Sequence, residues 1–165
     1  MNSIIKSPDE NSGRLIGLFQ ALIDSLPPGT VSLGSRRTKN DDGTIVWLSP
    51  SNKQAAEFSA HLEDGNSGLI DVSFGRGGTT LELPWEARLP SDASFDTILE
   101  VVKSLALAVI AGRCEERFGF LGVRGTIRAE ASNIYRSTHF FHFHLFPRTV
   151  RYVPYESSSN AERLL

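Results

Sequence analysis

The chain has 165 residues, 40% hydrophobic and 22% charged, which is the length and composition of one globular domain able to bury a sizeable core. Its net charge of −2 argues against a nucleic-acid binder that works by bulk electrostatics, and its single cysteine, Cys114, excludes an internal disulfide. The most hydrophobic run, Leu105 to Ala111, is too short to span a bilayer, and the N-terminus lacks a charged-then-apolar export signal. The expectation is a soluble, cytoplasmic protein.

Residues 1–10 offer little apolar surface and read as a flexible tail. Between Arg14 and Leu26, Leu15, Ile16, Leu18, Phe19, Leu22 and Ile23 fall at helical spacing, and Pro27-Pro28-Gly29 ends the helix. Val31–Arg37 then faces Thr44–Ser49 across Asn40-Asp41-Asp42-Gly43, a hairpin signal. The second arm, Ile45-Val46-Trp47-Leu48, is apolar on both faces and so belongs inside a sheet.

Three further strands can be registered from alternation. Phe58, Ala60 and Leu62 alternate with Glu57, Ser59, His61 and Glu63; Ile70, Val72 and Phe74 alternate with Asp71 and Ser73; Leu81 and Leu83 alternate with Thr80 and Glu82. A turn at Arg76-Gly77 sets Val72 opposite Leu81 and Asp71 opposite Glu82, and keeping one face apolar pairs Ala60 with Val72 and His61 with Asp71. The result is a polar row, His61–Asp71–Glu82. It reads as an outward face, or, with a cation, as a carboxylate/imidazole site. The glycines of Gly75-Arg76-Gly77-Gly78 join two strands, so they supply positive φ angles rather than a phosphate cradle.

A long helix is expected over about Asp92 to Cys114, capped by Ser91 or Ser94, with Phe95, Ile98, Leu99, Val102, Leu105, Ala106, Val109 and Ile110 as its apolar face. Cys114, at its C-terminal end beside Glu115 and Glu116, should have a raised thiol pKa and be a poor nucleophile. Two strands follow, about Arg117–Glu130 and Tyr135–Pro147, with Gly119, Gly122 and Gly125 as bends in the first and Val150–Val153 as a short edge piece. Residues 113–165 carry eight Lys/Arg against five Asp/Glu, whereas residues 1–112 carry nine against 14. The spaced set Arg113, Arg117, Arg124, Arg128, Arg136, Arg148 and Arg151 reads as a solvated sheet face. Residues 154–165 read as a second flexible tail.

The last strand carries the richest local chemistry. Alternation puts Phe140, His142, His144 and Phe146 in one row and Phe141, Phe143 and Leu145 in the other, with His139 on the opposite face from His142 and His144. A His-x-His pair on a strand presents two imidazoles to one ion, but a zinc site needs a third ligand, and no spacing rule ties His61, Asp71, Glu82, His139 or Cys114 to the pair. The stretch Phe140-Phe141-His142-Phe143-His144-Leu145-Phe146-Pro147-Arg148 also resembles the end of the histidine-triad nucleotide hydrolase motif. That resemblance implies His142 as the residue that attacks an α-phosphate and His144 as the third histidine. The first position of the triad is Phe140 here.

The fold expected is α+β: a two-layer domain over residues 11–153, with a curved, mainly antiparallel sheet of six to seven strands packed on one long buried helix and an N-terminal helix. The function expected is a protein-binding module (adaptor, chaperone-like subunit or inhibitor) without catalytic activity or cofactor. Its binding residues are Phe140, His142, His144 and Phe146, of which Phe140 and Phe146 need cover from a tail, a partner or a ligand. The expected partner is another protein or a second copy, with neither nucleic acid nor membrane. The alternative is a metal-dependent or phosphate-directed hydrolase using His142 and His144 for catalysis or as metal ligands.

Overall fold

The computed structural model describes residues 8–39, 43–63, 70–76, 79–81, 95–119, 122–129, 134–139 and 148–156. Helix α1 (Pro8–Asp24) leads into β1 (Val31–Arg37), β2 (Gly43–Pro50), β3 (Phe58–Glu63), β4 (Ile70–Phe74) and β5 (Thr79–Leu81). After helix α2 (Phe95–Ile110) come β6 (Cys114–Gly119), β7 (Gly122–Arg128), β8 (Ile134–His139) and β9 (Arg148–Arg151). The protein is α+β. Its described strands form two antiparallel sheets, ordered β1-β2-β3-β4-β5 and β8-β7-β6-β9.

The first sheet has the register that alternation dictates. Val31–Arg37 lies antiparallel to β2, Ala60 faces Val72 and His61 faces Asp71, and Val72 faces Leu81. Val46, Leu48, Phe58, Ala60, Leu62, Ile70, Val72 and Phe74 are buried on one face. Helix α1 packs against β1, β2 and α2, with Leu15, Phe19 and Leu22 buried. The rings of Phe19 and Phe58 stack with centroids 5.8 Å apart. Helix α2 touches β3 and β4 of the first sheet and β7 of the second, and β5 lies beside β7 and β8. One apolar core therefore serves both sheets, with Leu105 fully buried in it.

Three expectations are corrected. The single sheet of six to seven strands is instead two sheets, of five and four strands among the described residues. The expected strand Arg117–Glu130 is a hairpin: Gly119 pairs with Gly122, and the chain reverses between them rather than bending through them. The long helix stops at Ile110, so among the described residues α1 and α2 span a similar 17 and 16 residues. It stops because Gly112 adopts φ +68, and a Cβ there would meet the backbone at Val153 and Pro154. The Gly112 N–H donates to Val109 O (2.9 Å) and the Arg113 N–H to Ala108 O (2.8 Å), the Schellman pattern that satisfies a helix's last carbonyls.

The described residues nearest each expected tail belong to the fold. Residues 8–10 open α1, where proline suits the first turn because its missing N–H has no helical partner. Tyr155, expected in the loose tail, is 2% exposed; its N–H donates to Ile110 O and its hydroxyl to Ala56 O. No helix among the described residues is long and apolar enough to cross a membrane.

Candidate functional site

Residues 140–147, and with them Phe140, His142, His144 and Phe146, lie outside the described residues, as does Glu82. His139 ends β8 at the register position opposite Val123.

In the second sheet, Cys114, Glu116 and Ile127 are buried on the side facing the core. The alternate positions of β6 and β7 therefore face away from it. Arg113, Arg117, Arg124, Arg128 and Arg151 all fall on that outward face. Arg117 pairs with Arg124 and Glu115 with both Thr126 and Arg151, while the Arg128 N–H donates to Arg113 O across the ladder. Arg136 takes the register position opposite Thr126. Five arginines thus surround one carboxylate, Glu115, which makes an ion pair with Arg151 at 3.4 Å. Arg113, Glu115, Thr126, Arg128 and Arg151 line one groove of about 610 Å³. The seven arginines were legible as a series. That five of them converge on one face required the β6–β7–β9 pairing.

Where the two sheets meet, a buried carboxylate is held by directed bonds. Glu116, 0% exposed, accepts from the Arg76 N–H at 3.0 Å and from the Tyr152 hydroxyl. Tyr152 in turn accepts from the Arg76 N–H at 2.8 Å. Gly75 is at φ +79, and a Cβ there would strike the Glu116 carboxyl group, so this glycine answers to tertiary packing as well as to its turn. Burial, and then Glu116, push the Cys114 thiol up to about 12. Burial first, then the bond to Glu116, raise the Tyr152 phenol, and burial raises Tyr155. These groups hold their protons at neutral pH, so they suit a structural junction rather than nucleophilic chemistry. The raised thiol pKa expected of Cys114 rests on Glu116 in part, as expected, but burial is the larger cause, and the residue opens a buried strand instead of ending a helix.

On the first sheet's outward face, His61 and Asp71 are brought together as their register requires, and Glu63 joins them. One ligand atom from each lies within 4.8 Å of the others. The signal for Glu63 was present in the sequence, two residues from His61 on the same strand. Nearby, Trp47 lies across Gly34, and a shallow groove of about 400 Å³ runs past Arg36, Trp47, Glu57, Ser59 and Ser73.

Comparison with protein-family models, with curated proteins and with solved structures finds no match to this chain.

Proposed function

We propose that the protein is a binding module without catalytic activity (an adaptor, chaperone-like subunit or inhibitor) and that the arginine-bearing face of its second sheet receives an acidic segment of a partner protein. The observation that carries this reading is the gathering of Arg113, Arg117, Arg124, Arg128 and Arg151 on the side of the sheet away from the core. Guanidinium groups on a rigid sheet match carboxylates bidentately, and a face with five arginines against the single carboxylate Glu115 is positive enough to steer an acidic partner. Phe140, His142, His144 and Phe146 lie, in sequence, between β8 and β9 of this same sheet. In this reading they supply the apolar contacts that a purely ionic surface lacks. The overall charge of −2 favours a protein partner over nucleic acid.

Fluorescence anisotropy with a labelled oligoglutamate peptide tests the proposal at roughly 0.15 M salt, where the Debye length is about 8 Å and only close charge pairs survive screening. Saturable binding that Arg124→Glu with Arg128→Glu abolishes, while circular dichroism stays unchanged, supports it. Tighter binding to a single-stranded RNA of equal charge, or phosphate-ester hydrolysis lost in His142→Ala, overturns it. Concentration-dependent self-association in sedimentation, lost in the same charge-reversal variant, identifies a second copy as the occupant.

A further inference from the structure

We infer that His61, Glu63 and Asp71 form a site for one divalent transition-metal ion, of the Zn²⁺ or Mn²⁺ class, on the face of the five-stranded sheet that lies away from the core. The placement begins with backbone geometry. Spacing of two puts His61 and Glu63 on one face of β3, and the β3–β4 register puts Asp71 directly opposite His61. The three side chains converge because strand pairing aligns them.

Two further features favour an ion. Gly43 sits opposite Glu63 on β2, and a Cβ at this position would come within 2.5 Å of the Leu62 carbonyl oxygen and 2.8 Å of His61 Nε2. The missing side chain leaves the space into which the imidazole leans. His61 Nε2 is enclosed from solvent and has no hydrogen-bond partner among the described residues, a costly condition for a ring nitrogen. The fold thus holds a histidine over a glycine, near two carboxylates, with one ring nitrogen unsatisfied among the described residues.

The donor set selects the class of ion. One imidazole and two carboxylates suit borderline divalent metals, whereas Mg²⁺ and Ca²⁺ prefer all-oxygen shells. A dication neutralises Glu63 and Asp71 together, leaving the neutral imidazole as the third ligand. Metal–ligand distances of about 2.0–2.2 Å imply ligand atoms about 3.4 Å apart in a tetrahedron. Closing from a separation within 4.8 Å needs side-chain rotation and no movement of the strands. A water completes the shell, and the ion ties β3 to β4.

The test is isothermal titration of Zn²⁺, and separately of Mn²⁺, into the full chain, freed of any affinity tag and stripped with a chelator. One equivalent is expected to bind. Asp71→Asn and Glu63→Gln, conservative changes judged folded by circular dichroism, should each weaken binding by more than roughly 100-fold, since loss of an outer-shell partner alone costs about 10–100-fold. His61→Ala should do the same and should also remove the metal-dependent rise in melting temperature. The inference is overturned if neither ion binds saturably. It is equally overturned if binding survives Asp71→Asn and Glu63→Gln, or if it is lost on His144→Ala and kept in all three site variants. None of these results bears on the arginine face, whose test uses no metal.

Discussion

The two sheets solve the same packing problem with different forces. On the core side of the five-stranded sheet, eight residues from Val46 to Phe74 are buried and apolar, and the one buried polar neighbour among the described residues of that face, Thr44, is a neutral hydroxyl paired with Ser12 at 2.9 Å. The four-stranded sheet mixes Ile127 with Cys114 and the buried Glu116, and borrows Tyr152 to satisfy that carboxylate. Burial of hydrocarbon is non-directional and tolerates small shifts. A buried carboxylate demands donors at fixed positions, and it is destabilising once they are gone. The first sheet should therefore respond mainly to lost volume or added polarity in its core, whereas the second should respond to the loss of a single hydrogen-bond partner.

The largest expected effect tests what the sheets share. Leu105→Asp places an unpaired carboxylate in the core reached by α2, at a cost of several kcal/mol against a typical total of about 5–15. No folded protein should be recovered; a soluble variant with an unchanged melting temperature would show that α2 is not the common spine.

Next come changes confined to the junction. Gly75→Ala combines a φ of +79 with a clash at Glu116, and should lower stability by at least about 2 kcal/mol in urea unfolding. Tyr152→Phe removes one donor from Glu116 and should cost about 1–3 kcal/mol. If Tyr152→Phe were neutral, the contrast between the sheets would disappear.

An effect absent at neutral pH should appear at alkaline pH. The Cys114 thiol has a folded pKa of about 12 against an ordinary 9.0, so the folded state binds its proton more tightly than the unfolded state. The stability this contributes is complete below pH 9.0 and is lost as pH rises toward about 12. Tyr152 and Tyr155, raised above 10.0 by burial, act in the same direction. Cys114→Ala should flatten the decline in unfolding free energy between pH 9.0 and about 12; a profile identical to wild type would show that burial does not hold the thiol neutral.

Smallest of all, Arg124→Glu should change stability by no more than about 0.5 kcal/mol, because its face lies away from the core. A larger loss in chemical denaturation would mean that the arginines help hold the second sheet together.

Alternation and turn residues alone determined the strands of the first sheet, its β3–β4–β5 register and the meeting of His61 with Asp71. Those relations are local: side chains alternate with period two, and a one-residue slip would turn the apolar row outward. The apolar faces of α1 and α2 were legible for the same reason, but the end of α2 was not. It depends on Gly112 passing close to Val153 and Pro154, some 40 residues later. The hairpin at Gly119 and Gly122 was hidden because glycine serves bends and reversals equally well. Nothing in the sequence marks Glu116, one acid beside another, as buried; its burial rests on Arg76 and Tyr152, which lie 40 and 36 residues away. The arginine face required β6, β7 and β9 to come together. A periodic pattern specifies which side of a strand a residue takes, but only chain closure over long loops decides which strands, and which charges, become neighbours.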